Sequence, residues 1–276
     1  MSRFLDRLRK GSRKGAFPFG IACIPLKNMV SSLYRMKWGM TMAEKKYLVC
    51  ERRSVFALLT LSAGMMGAYT FTLRGGVFCN AQTANVVLMA IAFGQGRWGE
   101  GAYYLIPISA YLAGAFLSEI LPSPVRRLGF LRWDTYLVAF ECLALFAVGF
   151  IPLSWPHHLV QVLVNFIASM QYNTFRQAEG IPMATTFCTN QLRQVGIGFA
   201  KAVRKGDREG LRRALFFLGM LGCFFLGGAA SAFAGTLLSA KAIWLNLIPL
   251  GVVLVRLVHA DLTDEKNQLS RKPAGH

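Results

Sequence analysis

Acidic residues are scarce in this 276-residue chain: 13 Asp and Glu stand against 31 Lys and Arg, and charged residues of both signs make up only 16%. A soluble domain usually carries about 25% charged residues, so water alone is a poor solvent for this sequence. Histidine is rarer still, with four residues and no HExxH or Cys/His cluster. That removes the usual zinc motifs, and neither a metal nor a cofactor is expected. The six cysteines (Cys23, Cys50, Cys79, Cys142, Cys188, Cys223) form no CxxC pair, which excludes a metal ribbon and a disulfide framework. They read as small apolar residues inside helices. No nucleophile stands beside a base and no carboxylates pair, so the chain reads as a protein that is not an enzyme.

What fills the sequence is apolar: 54% hydrophobic residues and a mean hydropathy of +0.41. A helix needs about 20 mostly apolar residues to cross the hydrocarbon core of a bilayer. Segments of that kind fall near 54–73, 77–95, 102–121, 134–153, 157–175, 183–203, 212–238 and 242–259. The weakest is 183–203, whose polar residues must face protein or water rather than lipid. The expectation is an all-α, polytopic transmembrane helix bundle of about six to eight helices, best counted as eight. It divides into a basic cytoplasmic arm over 1–53, a transmembrane domain over 54–260 and a polar tail over 261–276. Residues 16–32 read as an interfacial segment of the arm.

Thirteen of the Lys and Arg residues lie in 1–53, against Asp6, Glu44 and Glu51. That bias places the N-terminus in the cytoplasm, with attraction to anionic lipid headgroups. No aromatic-interleaved groove or reading motif accompanies the charge, so nucleic acid is not an expected partner. With eight crossings, Arg97, the Lys201 to Arg213 cluster and the tail also fall inside. Arg126, Arg127 and Arg132 in the 122–133 loop fall outside, against the rule, unless one helix does not fully cross.

The chain carries traces of an internal repeat. Gly75-Gly76 breaks one apolar run and Thr83 follows; Gly180-Ile181-Pro182 breaks another and Thr189 follows, seven residues after Gly76 and after Pro182 respectively. This reads as two related units, about 54–153 and 157–259, and eight crossings would set them parallel. Small residues recur every fourth position at Ala110, Gly114, Ser118 and at Gly219, Cys223, Gly227, Ser231, Gly235. Such stripes let helices approach closely, between the halves or between copies of the chain in a homo-oligomer.

Paired interruptions of membrane helices point to a midplane site, because freed backbone groups must be satisfied by protein or solute. The candidate binding residues are Asn80, Gln82, Thr83 and Asn85 after the first break, and Thr186, Thr189, Asn190 and Arg193 after the second. Glu141, Gln171 and Asn173 lie on intervening helices. Arg193 cannot shed its charge and so needs an anionic solute or a carboxylate partner, for which Glu141 and Glu119 are the candidates.

At these same residues the chain resembles the YoaK family of bacterial inner-membrane proteins, whose function is unknown, most closely the Gram-positive versions. The stretches that carry the likeness are Gly64 to Phe71, Arg74 to Asn85, Tyr103 to Ile108, Thr174 to Arg176 and Ala184 to Arg193. The resemblance implies a multi-pass fold in the bacterial cell membrane and names no substrate. Relatives show Asp-Ala-Tyr where this chain has Gly67-Ala68-Tyr69, and Thr-Gly-Asn at Thr83-Ala84-Asn85 and Thr189-Asn190-Gln191. Gly67, Ala84, Asn190 and Gln191 therefore depart from the pattern, and Gly67 removes a carboxylate. The function expected is a membrane transporter or channel-like protein for a small polar or anionic solute. The alternative is a non-transporting scaffold or regulatory protein.

Overall fold

A computed structural model describes residues 47–127, 129–186 and 188–273. The basic arm lies outside the described residues except for 47–53, as does the 16–32 segment. The described chain is helical apart from one two-stranded hairpin. In order it forms α1 (Arg53–Leu73), α2 (Gln82–Gly94), α3 (Trp98–Tyr103), α4 (Leu105–Ile120), α5 (Pro122–Arg126), α6 (Trp133–Val148) and α7 (His157–Thr174). The hairpin follows as β1 (Gln177–Ala178) and β2 (Ile181–Pro182), then α8 (Cys188–Lys205), α9 (Arg208–Leu238), a 3-10 stretch (Ser239–Asn246) and α10 (Leu247–Leu262). Each of the eight expected segments contains one of the longer helices, so the all-α bundle stands.

The stretches Arg53–Leu73, Trp98–Arg126 and Arg208–Leu262 are long and apolar enough to cross a membrane. The bundle is apolar outside and holds polar side chains within an apolar core. Phe116, Leu143, Phe225 and Phe233 are each more than 65% exposed, whereas Asn85, Glu141, Gln161, Asn165 and Gln171 are fully buried. Large apolar side chains exposed on this scale are not what water imposes on the surface of a soluble domain.

Contacts fix the direction of each helix. α1 starts at what we term the arm end and finishes at the far end. There the Arg74 guanidinium donates to the carbonyls of Ile151 (2.6 Å) and Pro152 (3.0 Å), just after α6. α6 begins at the arm end, where Arg132 N donates to Asp261 Oδ2 (2.9 Å) and Trp133 Nε1 to Thr174 Oγ1 (3.0 Å). α7 therefore returns from far end to arm end. α4 runs beside it in the same sense: Ser169 Oγ donates to Tyr111 O (2.6 Å) and Asn173 Nδ2 to Ser118 Oγ (2.8 Å). α9 parallels α1, with Gly227 packed on Leu61 O, Gly64 on Phe224 O and Gly235 on Leu73. α10 comes back, tied by Ser62 Oγ to Asn246 Oδ1 (2.9 Å) and by Arg256 Nη1 to Ser54 Oγ (2.9 Å). Members of both small-residue stripes thus serve contacts between the two halves of one chain, Gly114 on Phe166 O and Gly227 on Leu61 O.

Two helices do not run the full height. After α1 the chain turns through Gly75 and Gly76, both left-handed (φ 81° and 73°), a region that costs a side-chain-bearing residue but not glycine. It then runs back along α1 in extended form, and α2 starts at mid-height. The second half repeats this from the other end. The hairpin turns through Gly180 (φ 80°) at the arm end, the chain runs inward, and α8 starts at mid-height. It returns to the arm end, where Gly198 packs on Gly210 O and Ala214 near the start of α9.

Each unit therefore holds three full-height helices and one half-height helix. Three is odd, so the second unit runs in the opposite direction to the first. This corrects the parallel arrangement, which assumed that the segments after both breaks span the bundle. It also moves the 122–133 loop. Arg132 is bonded to the polypeptide just after α10, so this loop lies at the arm end rather than opposite it.

Candidate functional site

The inner tips of the two half-height segments are built from side chains that replace missing helix bonds. In the first, Cys79 N donates to Thr70 Oγ1 (3.3 Å) and Asn80 Nδ2 to Ala63 O (3.0 Å). Asn85 folds back on Phe78, accepting from its N–H (3.0 Å) and donating to its carbonyl (2.7 Å). Gln82 reaches across to α7, its Nε2 2.8 Å from Asn165 Oδ1. In the second, Gln191 Nε2 donates to Ala184 O (2.9 Å), seven residues back as in the Asn85–Phe78 pair. Gln171 Nε2 donates to Leu59 O and Thr185 Oγ1, both at 3.3 Å.

The two tips stop short of each other near the middle of the bundle, the first on the far side and the second on the arm side. Along α1 they touch Ala63 and Leu59, four residues apart, or about 6 Å at 1.5 Å per residue. Along α7 they touch Asn165 and Gln171, six residues apart, or about 9 Å. The N-termini of α2 and α8 thus approach the centre from opposite ends, and no side chain caps the start of α2. A helix N-terminus carries roughly half a positive charge and free N–H groups, so two of them converging favour a negatively charged or strongly accepting group.

Of the residues singled out in the sequence, Asn80, Gln82, Asn85, Gln171 and Thr186 gather at these tips. Glu141 is buried at the middle of α6 with both carboxyl oxygens free of hydrogen bonds, and Thr186 Oγ1 likewise has none. Thr83, Thr189, Asn190 and Arg193 are exposed on the outer faces of α2 and α8. Arg193 bonds Asn190 Oδ1 (3.0 Å) and Glu119 pairs with Arg176 (2.8 Å), so the expected Arg193 pairing with Glu141 or Glu119 is not formed. The helical phase explains this: α8 buries Gln191 and Gly198 against α9, and Arg193 falls on the other side. Asn173 sits lower, in the cluster of Ser118, Glu119 and Arg176. A side chain built at Gly67 would meet Asn80 Oδ1 at 3.0 Å, so the carboxylate that the family resemblance places at 67 would stand at the first tip.

Two clusters escaped the sequence reading. Arg74 is fully buried, donating to Tyr69 Oη (3.0 Å) besides the two carbonyls, and its own carbonyl accepts from Gln161. Its position beside the Gly-Gly break was the available signal. At the arm end, buried Arg132 lies 3.2 Å from Asp134 and 3.4 Å from Glu265. Asp261 there accepts from Thr135 Oγ1 (2.6 Å) and Glu265 from Val49 N (2.7 Å). Burial, with Asp134 adding to it, pushes the Cys50 thiol well up, which keeps it an unreactive packing group. Burial also raises the Glu265 carboxyl, against the opposing pull of the Val49 N–H and Arg132. These partners are far apart in sequence, and no local pattern announces them. Among the described residues no group of three or more His, Cys, Asp or Glu could hold a metal ion.

No curated protein and no solved structure matches the chain. Residues 55–256 match a family described as a protein of unknown function, DUF1275. That span covers both tips and all six full-height helices, and the chain accordingly belongs to the DUF1275 family, of which YoaK is a member.

Proposed function

We propose that the protein is a multi-pass membrane protein that moves a small polar or anionic solute across the bacterial cell membrane without changing it chemically. The observation that carries this reading is that two half-height segments enter from opposite ends and stop near the middle of the bundle. Inverted units with broken helices whose N-termini converge near the midplane are the architecture from which secondary transporters build their solute sites. The anionic preference rests on those N-termini and no longer on Arg193.

On this reading the six full-height helices cross the bilayer and the two half-height segments re-enter it, one from each side. Charge supports the orientation. The arm end holds Arg126, Arg127 and Arg132, the Lys201 to Arg213 cluster and the tail's Lys266, Arg271 and Lys272, whereas the far end holds Arg74, Arg97 and Lys241. The arm end is then cytoplasmic, and the loop that broke the positive-inside rule obeys it. The basic N-terminal arm on that side is suited to anionic headgroups.

Thr186→Val tests the site. Its hydroxyl has no hydrogen-bond partner, so an isosteric methyl leaves the fold at least as stable. Purified protein is screened by thermal shift against inorganic and organic anions and neutral amides. A solute that stabilises the wild type should lose most of that stabilisation in Thr186→Val and retain it in Arg193→Ala. No stabilisation by any solute, or equal stabilisation in Thr186→Val, sinks the proposal.

A further inference from the structure

Glu141 is a carboxyl group for which the fold offers no donor. It lies on the inward face of α6 with Leu137, Val138, Ala144 and Leu145, all of them 7% exposed or less, and its own side chain is fully buried. It is eight residues from Trp133 and seven from Val148, so about 12 Å from one end of the helix and about 10 Å from the other. Its neighbour Phe140 packs its ring edge-on against Phe166 of α7, with centroids 6.4 Å apart. Phe166 follows Asn165, the residue that holds Gln82 of the first tip. Glu141 therefore sits at the depth of the tips. Every other Asp or Glu among the described residues lies at an end of the bundle.

The charged and titratable groups on the elements around α6 are remote from this level. α7 carries His157 and His158 at the far end, and Lys241 lies there too. α10 carries Arg256, His259 and Asp261 toward the arm end, and α6 itself has Cys142 beside Glu141 and Asp134 at its start. No cation compensates the carboxyl, and an ionised carboxylate without donors is too costly to bury at such a site. An acid kept there at that expense, in a bundle whose other mid-depth polar groups are neutral amides and hydroxyls, is the kind of intramembrane ionisable residue that relays protons.

We infer that Glu141 is a proton-binding site coupled to solute movement. Buried without donors, as described here, it holds its proton. When the tips part toward one side, water enters and the O–H proton leaves to that side, leaving the carboxylate; when they part toward the other, the carboxylate regains a proton from there. This rests on the transport reading above and assigns its driving ion.

The test uses full-length protein in lipid nanodiscs and infrared difference spectra between about pH 5 and about pH 9, a range around the buried carboxylic acids of proteins. Besides any band from Glu265, which Glu265→Gln identifies, wild type should show a protonated-carboxyl carbonyl band that fades as pH rises; Glu141→Gln should lose it, and Glu141→Asp should restore it at a shifted position. In vesicles, uptake of whichever solute the screen identifies should change about tenfold per pH unit over part of this range, and Glu141→Gln should flatten that dependence. Beyond any Glu265 band, spectra identical in wild type and Glu141→Gln, or a Glu141 band constant across the range, overturn the inference. A titrating Glu141 band with no stabilising solute leaves the proton site standing and removes transport; solute uptake indifferent to pH and to Glu141→Gln does the reverse.

Discussion

Replacing Gly227 and Gly219 by leucine should move stability in opposite directions, although both belong to the same four-residue stripe. At Gly227 a Cβ has no room because the Leu61 carbonyl oxygen and the Met65 nitrogen of α1 occupy its place. The obstacle is backbone, so the side chain cannot be accommodated by a rotamer change and α1 and α9 must separate. Overpacking of this kind costs up to about 3 kcal/mol, offset by the roughly 0.8 kcal/mol that leucine gains over glycine in a helix interior. The net loss is about 2 kcal/mol, or about 4–8 °C in Tm at the roughly 2–4 °C per kcal/mol expected for a domain of this size. At Gly219 nothing lies within 4 Å of the added Cβ, so the propensity gain stands alone and Tm should rise by about 2 °C. Both are read by tryptophan fluorescence during thermal unfolding in detergent. Equal stabilities for the two variants would show that α9 does not pack on α1 through Gly227, and the helix directions argued from that contact would fall with it.

Reporter fusions should place positions after Arg127 and after Lys205 on the same side as the N-terminus, and a fusion after Gly96 on the opposite side; a reporter after Arg127 that reads external would refute the inverted arrangement. The net stability contributed at the buried Glu265 should fall as pH rises, because the cost of burying its charge outweighs the pull of the Val49 N–H and Arg132. Burial sets the folded carboxyl above its ordinary value of about 4.3, so the folded chain holds the extra proton. Its contribution is full below the ordinary range and is lost as pH climbs through the raised value. Hydrogen exchange at the Val49 amide, corrected for the intrinsic rate, should speed up over that interval in wild type and stay level in Glu265→Gln; exchange that slows would reverse the sign of the argument.

Much of the bundle was legible because hydropathy alone locates helices where lipid is the solvent. The eight segments and both breaks could be read from apolar runs and from Gly75-Gly76 and Gly180. The helices that fall short of full height could not, because α2 looks like any short span in VVLMAIAFG, and only the Asn85–Phe78 and Gln191–Ala184 bonds show that the preceding residues are unwound. Arg193 was misplaced for a related reason: spacing gives Thr186, Asn190 and Arg193 a common face only if Thr186 is helical, and the helix begins at Cys188. The Arg132 network lay beyond local reading altogether, since its partners stand 129 and 133 residues away.

That separation has a consequence for synthesis. Arg132 leaves the ribosome long before Asp261 and Glu265, so during most of translation its only nearby carboxylates are those already made, Asp134 among them. α10 and the residues just after it deliver the missing counter-charges and, through Glu265 and the Val49 amide, are fastened to the residues that precede α1. A chain cut before residue 261 is left with an under-compensated guanidinium at its arm end, so loss of the residues after α10 weakens a contact more than a hundred residues away in sequence.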